Sequence, residues 1–343
     1  MKIAVGVGDY SFGDTTEMEA YVGAAERLGV HVAWTAEAWG QDAATALAFL
    51  AAKTRKIKLG AGIMQATARA PAMTAMTAMS VNALSGGRFI LGLGASGPQL
   101  VEGFHGASFE APLTRLRETV EICRMAFAGE KLRYDGRHYV LPRPGGEGRA
   151  LRLSHPPAEI PIYLATLGPK ALEFTGEVAN GWLGHSFSPD HPEALLDFVR
   201  AGAEKAGRAL RDLDIVVPAG VLIGENVESL IDSRKPGVAF NCGAMGSEQT
   251  NFYLDAFARA GYADDAKAVQ QLWLQGRRED AVKRVPDAMV TEFAAIGTAE
   301  MVVQRFRKYR DVGVSTLTLR IQGETVNERI ALLEQAVDLV RGL

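Results

Sequence analysis

Short, nearly continuous apolar runs alternate along the chain with longer stretches whose apolar residues recur at helical spacing. The short runs predict strands over residues 3–7, 32–35, 57–63, 89–93, 162–165, 182–183, 215–223 and 316–321. Between them, helices are expected over 18–28, 42–53, 71–83, 113–127, 169–179 and 192–206, with a last one ending near Leu343. In the 113–127 helix, Leu113, Leu116, Val120 and Phe127 share one stripe. Strands buried on both faces read as unbroken apolar runs rather than alternating ones, and parallel sheets are built from such strands. Eight strand–helix repeats therefore predict a (β/α)8 barrel, one domain spanning residues 1–343.

Two regions interrupt that rhythm. The stretch Tyr134-Asp135-Gly136-Arg137-His138-Tyr139 predicts a hairpin turning at Asp-Gly on the rim. Residues 224–297 stand where one helix belongs and are about twice too long. An irregular stretch over 234–249 and three helices are expected there, forming a lid or an oligomer surface.

Composition narrows the class. The chain has 343 residues, 48% hydrophobic and 22% charged, enough to bury a large core without staples. Its 37 basic and 40 acidic residues leave −3, so no basic field exists for nucleic acid. No uninterrupted apolar run reaches membrane-spanning length, and the start lacks a signal-peptide pattern, so a cytoplasmic location is expected. Two cysteines, Cys123 and Cys242, are too few for a disulfide framework or a four-cysteine metal site. Glycine is the informative excess: 37 residues is more than an average chain holds, which asks for tight turns or close backbone approach to a ligand.

Barrel ligands bind beyond the carboxyl ends of the strands. Six stretches there carry Asp9, Glu37, His105, Lys170 and His185, and two aromatics able to touch a ring, Tyr10 and Trp39. Ala165-Thr166-Leu167-Gly168-Pro169-Lys170 runs from a strand into a helix that begins at proline. Free N–H groups and the helix dipole at such a start suit a phosphate, although Gly-Pro also simply starts helices. Gly92 to Pro98 has the wrong spacing for a dinucleotide fingerprint and reads as a wide glycine loop that lets backbone approach a flat cofactor. Glu37 is either an acid–base group in the mouth or half of a rim salt bridge. His105 and His185 are either proton donors or hydrogen-bonded structural histidines. No metal-ligand spacing, Walker loop or nucleophile elbow is present.

At these residues the chain resembles the bacterial luciferase-like monooxygenase superfamily, and within it the coenzyme F420-dependent oxidoreductases. Methylenetetrahydromethanopterin reductases and F420-dependent glucose-6-phosphate dehydrogenases are the similar groups. The resemblance is carried by Ala33 to Gly40, Leu59 to Ala83, Ser85 to Gly94, and Ala165 to Lys170 with Asn180-Gly181-Trp182. It implies a deazaflavin held across the barrel mouth. Gly62-Ile63 matches the family's non-proline cis peptide against the ring, and Ser96, Gly97 and Pro98 match the loop flanking it. Leu167, Gly168 and Pro169 match the phosphate-binding turn, and Ala165, Thr166 and Lys170 beside them are further cofactor-binding candidates. Glu37 takes the place of an acidic residue that contacts the deazaflavin. Ala38 stands where the sugar-phosphate dehydrogenases carry a catalytic histidine, and Pro98 or Gln99 where they carry a glutamate, so glucose-6-phosphate oxidation is not expected.

The resulting expectation is an F420-dependent oxidoreductase, a homodimer acting on a small organic molecule by hydride transfer. Glu37, His105 and His185 are its catalytic candidates, and Tyr10 and Trp39 face the substrate. The alternatives are an FMN-dependent monooxygenase of the same fold and a cofactor-binding protein without catalysis.

Overall fold

The computed structural model describes residues 1–7, 15–248 and 250–343. Eight parallel strands close into a barrel: Lys2–Gly6, Val32–Thr35, Lys58–Ala61, Phe89–Gly94, Ile162–Ala165, Gly181–Leu183, Asp214–Ile223 and Thr316–Ile321. Each pairs with its sequence neighbours, and the eighth closes on the first with Ile3 opposite Leu317. The predicted strand and helix positions hold to within a few residues. They do so because the burial of each strand is written in consecutive residues.

Helix starts follow local chemistry. Asp42 caps Ala43–Lys53 by accepting from the Thr45 N–H at 2.8 Å, and Pro71, Pro112 and Pro169 each open a helix at its first turn. The hairpin forms, with Tyr134–Asp135 antiparallel to Val140–Leu141. The buried Glu118 carboxylate takes the backbone N–H groups of Arg137, His138 and Tyr139, so the loop's orphan donors are satisfied from a neighbouring helix.

The core has two shells. Ala4, Val32, Trp34, Ile90, Tyr163 and Val216 fill the barrel interior, while a larger cluster lies between strands and helices. The Trp34 ring occupies the place of a side chain at Gly60, whose Cβ would lie 2.1 Å from it. Below the barrel, Asp214 accepts from the Tyr163 hydroxyl at 2.9 Å and from Thr316 at 2.7 Å, which ties three strands at the face opposite the mouth.

The 224–297 segment departs from expectation. Most of the stretch expected to be irregular is helical: Val227–Gly243 continues through Pro236. Proline reads locally as a breaker, but burial of Ala239 and Cys242 in a separate small core holds this helix in place. Among the described residues five further helical pieces follow, at Phe252–Phe257, Ala258–Tyr262, Ala263–Leu274, Arg278–Lys283 and Ala288–Thr291, where three helices in all were expected. A short strand, Ala295–Gly297, then returns to pair with the end of the seventh strand, Val221 opposite Ala295. The segment is thereby fastened over the mouth. No helix among the described residues is long and apolar enough to cross a membrane.

Candidate functional site

Strand direction puts every candidate loop at one end of the barrel. The third strand breaks at a cis peptide between Gly62 and Ile63, then resumes at Met64–Gln65. Gly62 and Ile63 are half-buried at the mouth. Beneath them Gln65 Oε1 and Thr67 Oγ1 are buried without a hydrogen-bond partner among the described residues. Groups of this kind are satisfied in nearly all native proteins, so their orphan state marks a place where a polar ligand edge belongs. Beyond the end of the neighbouring strand, whose Gly94 pairs with Gln65, Ser96 adopts a left-handed conformation at φ 63°, an uncommon geometry for a non-glycine residue. Gly97 and Pro98 follow it into a widely wound helical turn, Gln99–Phe104. Gln99 reaches the carbonyl of Gly246, fixing this loop to the inserted segment.

Glu37 lies at the end of the second strand with its carboxylate almost wholly buried. It makes four hydrogen bonds: two from the Arg69 guanidinium in a fork (Nη2 to Oε2 at 2.8 Å), one from the Gln65 N–H at 2.8 Å and one from the Ala43 N–H at 3.2 Å. The bonds to Glu37 hold the Arg69 guanidinium even more firmly protonated than usual. Of the two readings of Glu37, this geometry displays the ion pair, one that joins the second strand, the third-strand loop and a helix start.

Leu167-Gly168-Pro169-Lys170 leads into the helix Pro169–Val178, with Gly168 as its cap in extended conformation. Ala171 and Leu172 bond back to the Gly168 carbonyl, while the N–H groups of Gly168 and Lys170 have no partner among the described residues. A side chain at Gly168 would meet only Phe252, at 4.0 Å, so space lies open above the turn. Ala165 is half-buried below it. Thr166 serves the frame rather than the opening: its hydroxyl pairs with Thr175 at 2.7 Å and its carbonyl takes the Trp182 indole N–H at 3.0 Å. Arg259, from the inserted segment, donates to the Leu167 carbonyl at 2.8 Å and sets a positive charge beside the turn.

His185 follows the sixth strand and enters a cavity of about 300 Å³ between the mouth and the inserted segment. Its Nδ1 lies 3.0 Å from the Ser186 hydroxyl, and its ring meets Tyr253 edge-on at 4.7 Å. Burial, reinforced by the Arg320 charge, pushes its pKa down to about 3. At neutral pH it is therefore an uncharged imidazole, with one nitrogen to donate a hydrogen bond and one to accept. His105 is elsewhere: it is exposed on the rim, against the exposed Phe104. Trp39 is also exposed on the rim, at 59%. Tyr10 lies outside the described residues. The structure thus gathers Gly62, Ile63, Ser96, Gly97, Pro98 and the Leu167–Lys170 turn around one mouth, and His185 under its roof.

Four arginines of this region escaped the sequence reading: Arg69, Arg234, Arg259 and Arg320. Arg320 had a signal, since it ends an inward-facing series (Thr316, Thr318, Arg320) on the eighth strand, at the ligand-bearing face. The others act from loops and helices with no such register.

Comparison with known proteins agrees with this architecture. The family model for luciferase-like monooxygenases matches residues 2–316. A Mycobacterium tuberculosis chain that bears the name of a coenzyme F420-dependent oxidoreductase is 35% identical, over 97% of this chain and 99% of its own. A 5,10-methylenetetrahydromethanopterin reductase from Archaeoglobus fulgidus is 31% identical over 87% of each chain. The solved coenzyme F420 dependent tetrahydromethanopterin reductase from Methanopyrus kandleri superimposes with a TM-score of 0.80 at 25% identity, covering 98% of both chains. The match runs from the first strand to the last, and the chain is an enzyme of the luciferase-like monooxygenase family.

Proposed function

We propose that the chain is an F420-dependent oxidoreductase that transfers a hydride between the deazaflavin C5 of coenzyme F420 and a small organic substrate. The observation that carries this reading is the open helix start at Gly168, at the same barrel end as the Gly62–Ile63 ledge and one strand removed from it, in a chain whose F420-dependent relatives match it nearly end to end. The mouth fits such a group. Among the described residues the Gly168 and Lys170 N–H groups and two buried polar atoms by the ledge have no partner, and a glycine leaves room for close approach.

In this reading the Gly168 and Lys170 N–H groups take the phosphate of the cofactor tail, with the helix dipole behind them. Gly62, Ile63 and the Ser96–Pro98 loop flank the ring. The Glu37–Arg69 pair holds the ledge and the second-strand loop in one relative position, so that donor and acceptor carbons meet in a fixed geometry. When bound, the deazaflavin supplies a carbon that gives or takes a hydride. The inserted segment covers the mouth and limits water. His185, uncharged, accepts or donates a hydrogen bond to the substrate without presenting a positive charge. Two copies of the chain associate, which gel filtration checks.

Titration of the apoprotein with F420 and with FMN tests the proposal. Tighter F420 binding and F420H2 consumption with an acceptor, without oxygen uptake, are the expected results. Tighter FMN binding with oxygen-coupled turnover would replace this reading with a flavin monooxygenase.

A further inference from the structure

We propose that Arg234 and Arg320 form an oxyanion-binding subsite, which holds the carboxylate or phosphate head of a small substrate whose apolar body lies among phenylalanines of the inserted segment. The proposal deepens the oxidoreductase reading and rests on it only for calling the occupant a substrate.

The two guanidinium groups are brought together by strand register. Gly220 on the seventh strand lies directly opposite Arg320 on the eighth. Registered residues of neighbouring parallel strands sit about 5 Å apart and present the same face. Arg234 reaches down from the first inserted helix into the space that a side chain at Gly220 would take: a Cβ there would lie 2.8 Å from its Nη2. A glycine at this register position thus lets one arginine lie beside another.

Neither arginine is compensated by a described residue. Among the described residues, no carboxylate forms an ion pair or hydrogen bond with Arg234 or Arg320, whereas Arg69, Arg259 and Arg305 all have acceptors. The groups facing them are His185, held uncharged, the Tyr253 hydroxyl and Asn241. Both side chains line the same cavity, where Arg320, at the end of its strand, remains open to solvent. Burial, and after it the Arg234 charge, lowers the pKa of Arg320. Two like charges in one partly dry cavity are costly unless an anion joins them. The other walls are Phe187, Phe240, Phe257, Phe293 and Met289, which suit an aryl or alkyl body. A cavity near 300 Å³ matches a small ligand.

Calorimetric titration in a chloride-free, low-salt buffer tests the subsite, with benzoate, phenyl phosphate and benzylammonium as probes. The expected result is saturable binding of benzoate or phenyl phosphate and none of benzylammonium; the tighter of the two anions names the head group. Arg320→Met and Arg234→Met should each weaken that binding tenfold or more. Gly220→Val should do the same by displacing Arg234, because its clash is with the tip of a flexible side chain and leaves the strand folded. Removal of an uncompensated charge should raise the Tm of Arg320→Met, a result opposite to the loss expected of a merely structural arginine. F420 affinity, followed by deazaflavin absorbance, should be unchanged in all three variants. Anion binding in a protein that ignores F420 would sustain the subsite and end only the cofactor reading. The subsite is overturned if neither anion binds at millimolar concentration, if the variants bind as the parent does, or if both arginine variants lose F420 instead.

Discussion

The mouth of this barrel contains two charged clusters built on opposite principles. At Glu37 a buried carboxylate is met by a guanidinium fork and two backbone donors, leaving it no capacity for another partner. One strand away from it, Arg234 and Arg320 share a cavity with no described counter-charge. A satisfied network rigidifies its surroundings, while an unsatisfied one costs stability and is poised to bind. The difference separates the groups that build the site from those that await a ligand, which residue type alone does not reveal.

The largest effect expected of this contrast comes from breaking the satisfied cluster. Glu37→Gln leaves the half-buried Arg69 without its charge partner and should destabilise the fold by about 2 kcal/mol, read as a lower urea midpoint. An unchanged midpoint with abolished turnover would instead place Glu37 among the reacting groups.

His185 reports on the unsatisfied side. Its folded pKa, about 3, lies below the ordinary value near 6.5, chiefly through burial and then through the Arg320 charge. Between those values the unfolded chain binds the extra proton. The stabilisation is therefore complete above pH ~6.5 and is lost as pH falls toward 3, by about 2 kcal/mol between pH 6.5 and 5. Urea midpoints at pH 7 and pH 5 should differ less in His185→Gln than in the parent; equal differences would show that another group titrates.

Gly168→Val places a side chain in the open space above the phosphate turn without touching the core. Folding should be unchanged while F420 affinity falls roughly tenfold, about 1.4 kcal/mol, measured by absorbance titration. Parent-like affinity would move the phosphate to another part of the rim. The smallest effect has the opposite sign. In the free protein Arg320→Met should gain about 1 kcal/mol in urea unfolding, since it removes one of two neighbouring like charges. A loss of similar size would mean that Arg320 already has a stabilising partner.

The helix start at Pro169 and the loops carrying Glu37 and His185 were legible because a strand end followed by glycine, proline or a capping residue is a local signal. The Val227–Gly243 helix was not, because Pro236 argues locally against it and only packing of Ala239 and Cys242 decides otherwise. The protonation of His185 was equally hidden, since an imidazole loses its charge through surroundings that residues far along the chain provide.

The sequence by itself determined the alternation of strands and helices, and with it the closed parallel barrel and the face on which its loops converge. Each buried strand is a run of apolar neighbours, and each helix start is a capping residue or proline beside it; both are short-range patterns that survive without coordinates. Tertiary structure alone decided which charges meet. The Arg69 fork on Glu37 and the approach of Arg234 to Arg320 over Gly220 depend on strand register and on where the inserted segment lands. Coulomb forces and desolvation depend on distances in space, and the chain specifies those only after it has folded.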